Sequence, residues 1–140
     1  MTIFLDIDGV LNQLQGNYHL DDTCISNLSL LCNKLNADIV LTSSWRLGYT
    51  NIGKSSPQIE KLKKKLSQQG LTIKGRTKNL NNRVKEITQY ILDHNISTND
   101  YIILDDDQTE FTTPITNLYI VNNKTGLTKQ DVKALLKRYR

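Results

Sequence analysis

Five short, largely apolar runs, separated by segments of helical periodicity, constrain this chain more than any other feature. Residues 2–7 (TIFLDI), 38–42 (DIVLT), the shorter 71–73 (LTI), 101–104 (YIIL) and 118–121 (LYIV) read as strands. Runs of this kind suit strands covered on both faces. Between them, apolar residues recur at helical spacing. They are Ile25, Leu28, Cys32 and Leu35, then Ile59, Leu62 and Leu66, then Leu80, Val84, Ile87 and Ile91 in a helix near 80–94, then Val132, Leu135 and Leu136. Asp21 or Asp22 can cap the first helix, Ser56 the second with Pro57 at its first position and Gly70 past its end, and Thr128 the last. Strands alternating with helices predict an α/β fold, a three-layer Rossmann-like parallel sheet with helices on both faces. The stretch 10–20, with Gly16 and Asn17 as turn signals, and the Ser-, Gly- and Asn-rich stretch 43–56 read as irregular. No repeat, low-complexity tract or linker divides the chain, so residues 1–140 are expected to form a single domain.

A chain of 140 residues is long enough for one proper core. No stretch approaches the ~20 apolar residues of a membrane span, and no basic segment precedes the first apolar run, so neither a membrane helix nor a secretory leader is expected. Cys24 and Cys32 fall in one helix, about 12 Å apart along it and beyond the ~7 Å reach of a disulfide. Buried free thiols and a cytoplasmic setting follow as expectations. The net charge is +4, with lysines at 61, 63, 64 and 65 and a basic C-terminus at Lys137, Arg138 and Arg140. Such runs are either solvated helix faces or a surface for a phosphate-rich partner, and charge alone leaves both open.

In open parallel sheets, ligands bind beyond the carboxyl ends of the strands. The first strand runs straight into Asp6-Ile7-Asp8-Gly9, and YIIL runs into Asp105-Asp106-Asp107. If both strands lie in one parallel sheet, these acids converge and repel one another. A divalent cation offsets that repulsion, and an all-oxygen set suits magnesium. The Asp6-x-Asp8 spacing allows a division of labour, with one carboxylate attacking phosphorus while the next protonates the leaving oxygen and later activates water.

FLDIDGVLN resembles the first motif of the haloacid dehalogenase (HAD) superfamily. The second motif matches at Thr42 in IVLTSSW, the third at Arg83 in NNRVKEITQYI, and the fourth at Asp105-Asp106 in YIILDDD. With the late GLTKQDVKALL, the chain is most similar to the small HAD domain of Swiss Army knife RNA repair proteins. The resemblance implies that Asp6 is a nucleophile forming an aspartyl-phosphate and that Asp8 is general acid, then general base. It implies that Gly9 lets the chain turn closely past the phosphate. Thr42 and the Ser43 amide would hold a phosphoryl oxygen, and Arg83 would neutralise the developing charge, with Lys85 as its competitor. Magnesium would be held by Asp6, the Asp8 carbonyl, Asp105 and Asp106, whose order could be reversed, with Asp107 a solvated turn residue. Trp45 could stack on a base or sugar and Arg46 hold a distal phosphate, or the pair could pack over the loop and bridge on the surface. His19 is expected to be exposed unless 10–20 folds back over the site.

Superfamily members acting on small metabolites often carry a cap domain after the first motif or between the second and third. Here residues 10–20 suffice only for a flap, and one helix and a short strand separate Thr42 from Arg83, so a capless form is expected. An open site suits a large substrate. The expected activity is that of a magnesium-dependent phosphomonoesterase acting on nucleic acid termini, binding chiefly through phosphate contacts, in a monomer or weak dimer. The alternatives are a nucleotidase or small-molecule phosphatase capped by a neighbouring subunit, and a non-catalytic nucleic-acid-binding scaffold.

Overall fold

The computed structural model describes residues 1–16, 19–50 and 53–140. Its strands are β1 (Thr2–Leu5), β2 (Asp38–Leu41), β3 (Ile73–Arg76), β4 (Tyr101–Asp105) and β5 (Leu118–Ile120). Its α-helices are α1 (Asp22–Leu35), α2 (Pro57–Gln68), α3 (Arg83–Asp93) and α4 (Lys129–Tyr139). The strands form one sheet in the order β3-β2-β1-β4-β5, and every pairing is parallel. Thr2–Leu5 lies level with Asp38–Leu41 on one side and with Tyr101–Leu104 on the other. Because Leu5 faces Leu104 in this register, Asp6 emerges beside Asp105, and the Asp6 amide donates to the Leu104 carbonyl at 3.0 Å.

Side chains alternate across a strand, and here both faces are buried. Ile3, Leu5, Ile39, Leu41, Ile102 and Leu104 pack against Ile25, Leu28 and Leu31 of α1, Ile59, Leu62 and Leu66 of α2, and Val132 and Leu135 of α4. Phe4, Val40 and Ile103 point the other way, onto Val84 and Ile87 of α3 and onto Phe111. Right-handed crossovers explain the division. The path from β1 to β2 to β3 runs one way across the sheet and lays α1 and α2 on one face. The return from β3 to β4 reverses direction and lays α3 on the other. That reversal opens a crevice between the carboxyl ends of β1 and β4.

The caps fall where expected. Asp21 accepts from the Thr23 and Cys24 amides, Ser56 caps α2 ahead of Pro57, and Thr128 forms a reciprocal capping box with Asp131. Two elements differ. β3 begins at Ile73 rather than Leu71, because Leu71 is a buried anchor closing the end of α2, its amide donating to the Leu66 carbonyl at 2.9 Å. The strand itself sits at the sheet edge with Lys74 and Arg76 exposed, so its sequence lacks an apolar run. α3 begins at Arg83, capped by Asn82, which leaves Leu80 outside the helix and 41% exposed rather than on its apolar face.

No cap-sized insert follows β1 or β2 among the described residues; between β2 and α3 come a short 3-10 helix, Ser44–Gly48, then α2 and β3. Asn17 lies outside the described residues. The start of the flap is tied down. Val10, Leu11 and Asn12 are fully buried, the Leu127 amide donates to the Val10 carbonyl at 2.7 Å, and the Leu14 amide donates to that of Asn123 at 3.1 Å. Cys24 and Cys32 are free and buried, and burial raises their thiols to about 11 and about 12. No described helix is long and apolar enough to cross a membrane.

Gly126 sits under this seam with φ +68°, and a Cβ there would lie 2.6 Å from Cys24 Sγ and 3.0 Å from the Val10 carbonyl oxygen. Gly126→Ala combines left-handed strain with overpacking and is expected to destabilise the fold by about 2–4 kcal/mol, read by urea denaturation.

Candidate active site

The crevice at the strand reversal is a cleft of about 490 Å³. Asp6 leaves β1 and Asp105 ends β4, and both are buried at 8% and 1% exposure, while Asp106 is half-buried. One carboxylate oxygen from each of the three lies within 4.8 Å of the others. Burial, and after it the charge of Asp105, pushes the Asp6 carboxyl well above the usual carboxylate range, with Arg83 pulling the other way. Asp105 is raised from the ordinary 3.8 to about 6, again chiefly by burial and again opposed by Arg83.

Arg83, the first residue of α3, reaches across to these acids. Its Nη1 lies 2.7 Å from Asp105 Oδ2 and 3.8 Å from Asp6 Oδ1. Lys85 is exposed and lines a separate depression with Leu80 and Thr113. Of the two candidate cations, only Arg83 therefore touches the carboxylates. The cleft wall carries six carboxylates (Asp6, Asp8, Asp105, Asp106, Asp107 and Glu110) and one guanidinium, Arg83. Such a surplus repels a phosphate unless it is neutralised, and the crowded all-oxygen donors fit a hard divalent cation. Asp107 is exposed and caps the short 3-10 turn that follows, as a turn residue does.

The turn after β1 is shaped by the same acids. Gly9 has φ +84°, and a Cβ there would fall 2.3 Å from Asp106 Oδ2, so only glycine lets the two approach. Asp8 stands apart from the three-carboxylate cluster. Its Oδ1 accepts from Asn12 Nδ2 at 3.0 Å and its Oδ2 from Trp45 Nε1 at 3.1 Å. Thr42, at the end of β2, is fully buried, its amide bonded to the Leu5 carbonyl, and its Oγ1 has no hydrogen-bond partner. Ser43 and Ser44 line the cleft, and Ser43 Oγ caps the 3-10 helix by accepting from the Trp45 amide.

Trp45 and Arg46 do not present a substrate surface. Both belong to that 3-10 helix, whose winding turns them inward, at 7% and 6% exposure. Trp45 packs into the core beneath the cleft. Arg46 Nη1 donates to the Thr42 and Ser43 carbonyls at 3.0 Å each, and Nη2 pairs with Glu86 Oε2 at 2.7 Å. Glu86 also accepts from the Leu80 amide, which fixes the chain just before α3. Asn12 and Glu86 are the residues that sequence reasoning passed over. Glu86 leaves a trace as an acid three residues after Arg83, directly before the core residue Ile87. Asn12 leaves none. His19 is exposed, as expected.

A family model described as the HAD domain in Swiss Army Knife RNA repair proteins matches residues 2–132. The chain belongs to this family. The match runs from the first residue of β1 into α4, so the sheet, the cleft and α3 all belong to the HAD domain. No curated protein matches the chain.

Crowding in the cleft has a measurable cost. The folded HAD domain holds the Asp6 proton more tightly than the unfolded chain does. The stability this permits is full below the ordinary carboxylate range and is lost as pH rises through the elevated folded value. Asp6→Asn removes the charge and is expected to melt higher than the parent at neutral pH in cation-free buffer. That gap should close towards about pH 4. Millimolar magnesium should stabilise the parent more than the variant. Thermal denaturation from acid to neutral pH, with and without cation, reads both effects.

Proposed function

We propose that this HAD domain is a magnesium-dependent phosphomonoesterase that works through an aspartyl-phosphate on Asp6 and removes terminal phosphate from nucleic acid ends. The observation that carries the reading is the cluster of Asp6, Asp105 and Asp106 facing Arg83 at the reversal of the sheet. Magnesium held by Asp6, Asp105, Asp106 and the Asp8 carbonyl would offset the repulsion between acids and substrate phosphate and let Asp6 act as an anion.

An Asp6 oxygen attacks phosphorus, and the bond to the leaving oxygen breaks as that oxygen takes a proton from Asp8. In the second half-step Asp8, now a carboxylate, removes a proton from water. The water oxygen attacks phosphorus, and the Asp6 carboxylate leaves. Arg83 offers a fixed cation to the phosphoryl oxygens as charge builds on them. A buried hydroxyl without a partner costs about 1–3 kcal/mol, so the orphaned Thr42 Oγ1 supports a phosphoryl oxygen as the missing acceptor of its hydrogen bond. Ser43 lines the cleft, and Gly9 packs against Asp106.

The uncapped cleft supports a substrate large enough to cover it, and the basic balance of the chain favours a polyanion. The family's description as an RNA repair domain points the same way. Two buried free thiols support a reducing, cytoplasmic setting.

Phosphate release from a 3′-phosphorylated oligonucleotide, a 5′-phosphorylated one and free mononucleotides tests the reading. Release from an oligonucleotide end is expected, abolished by chelator and by Asp6→Asn, and lowered about 10²–10⁴-fold by Asp8→Asn. Release from mononucleotides alone would instead favour a nucleotidase. No release from any of them, nor from a generic aryl phosphate, would leave a non-catalytic scaffold.

A further inference from the structure

Both oxygens of Asp8 are held by neutral side-chain donors, and each donor is itself fixed. Asn12 is fully buried, and its Oδ1 accepts from the Gly9 amide at 2.8 Å, which orients its Nδ2 towards Asp8. The Trp45 side chain has a single hydrogen-bonding atom, Nε1, and a largely buried indole spends it on a partner. That partner is Asp8 Oδ2 rather than a backbone carbonyl of the surrounding core. The ring has little freedom. It lies in the 3-10 helix that Ser43 caps and that Arg46 ties back to the Thr42 and Ser43 carbonyls, and it packs into the larger core. The turn that brings Ser43 and Ser44 to the cleft therefore also aims one N–H at the acid two residues beyond Asp6.

We propose that Trp45, with Asn12 on the other oxygen, is a positioning residue that holds the Asp8 carboxyl towards the oxygen leaving phosphorus. This rests on the reading of Asp8 as general acid and base. In the first half-step the phosphorus–oxygen bond breaks, its electron pair stays on the leaving oxygen, and the proton moves from Asp8 to that oxygen. The carboxylate left behind keeps the two N–H bonds. In the second half-step it takes a proton from the attacking water within the same pair of bonds. Holding the carboxyl in one orientation removes a search over its side-chain torsions at each proton transfer.

Leaving-group dependence separates positioning from a merely structural role. An alkyl phosphate needs a proton on its leaving oxygen, whereas an aryl phosphate with an acidic phenol departs as the anion. Trp45→Phe is expected to lower kcat/KM on the alkyl phosphate by about ten- to a hundredfold and to leave the aryl phosphate within about threefold. Asp8→Asn should show the same selectivity, and adding Trp45→Phe to it should cost little more on the alkyl substrate. Equal losses on both substrates, or additive losses in the double variant, overturn the inference. So does selectivity in Asp8→Asn without it in Trp45→Phe, and in that case the proposed function stands. Asp8→Asn without loss on the alkyl phosphate removes the acid/base reading itself, and the inference with it.

A second measurement needs no change at Trp45. It is the only tryptophan in the chain, so its indole N–H gives one signal in a ¹⁵N–¹H spectrum. Asp8→Ala is expected to shift that signal and speed its exchange with solvent, and a signal that does not move overturns the inference.

Discussion

The carboxyl end of this sheet is organised around a charge that must be neutralised. β1 and β4 are neighbours in a register that leaves Asp6 and Asp105 side by side, both out of solvent. Burial drives both carboxyls upward, and Arg83 pulls both back. The one cation among the cleft residues comes from α3, which lies on the opposite face from the other three helices because the chain reverses between β3 and β4. A single topological fact thus opens the crevice, fills it with acids and supplies the guanidinium between them. The remaining negative charge, on crowded oxygen donors, is of the kind that suits a hard divalent cation.

What the sequence made legible follows from the same geometry. Strands buried on both faces must be apolar throughout, so an acid directly after one is conspicuous, and Asp6, Asp105 and Thr42 could be placed from their strands alone. α1, α2 and α4 carry caps and a clear apolar stripe, and their positions were predictable to within a residue or two. β3 was displaced because an edge strand half open to water need not be apolar, and its one buried anchor, Leu71, belongs to the preceding turn. Leu80 fits the period of α3 but precedes its cap, and periodicity by itself does not report where a helix begins.

Trp45 and Arg46 show why residues near a site are harder to read than residues in it. Both follow Thr42 directly, and their chemistry suits stacking on a base and gripping a phosphate. Their direction, however, is set by the 3-10 helix that starts at Ser44, and a Ser-rich stretch gives little sign of one. Once the chain winds there, the two side chains pass under the cleft rather than over it. Their partners, Asp8 and Glu86, are 37 and 40 residues away in sequence, a pairing that no local pattern encodes.

The Arg46–Glu86 pair also fixes the spacing between two halves of the site. A buried ion pair is weak evidence for stability, because desolvating both partners offsets most of their attraction. Its geometry is informative all the same. Arg46 grips the carbonyls of Thr42 and Ser43, at the end of β2, while Glu86 sits on the first turn of α3 and accepts from the Leu80 amide. Glu86 Oε1 lies 3.8 Å from Arg83 Nε, so charges of alternating sign run from Arg46 through Glu86 and Arg83 to Asp105. Burial, and with it the charge of Arg83, lowers the Arg46 guanidinium from its ordinary value, and Glu86 opposes both. Glu86 bridges the two arginines and so ties the Thr42 turn to the first turn of α3. The Thr42 turn and the Arg83 guanidinium are thus tied together below the cleft, by residues that do not line it.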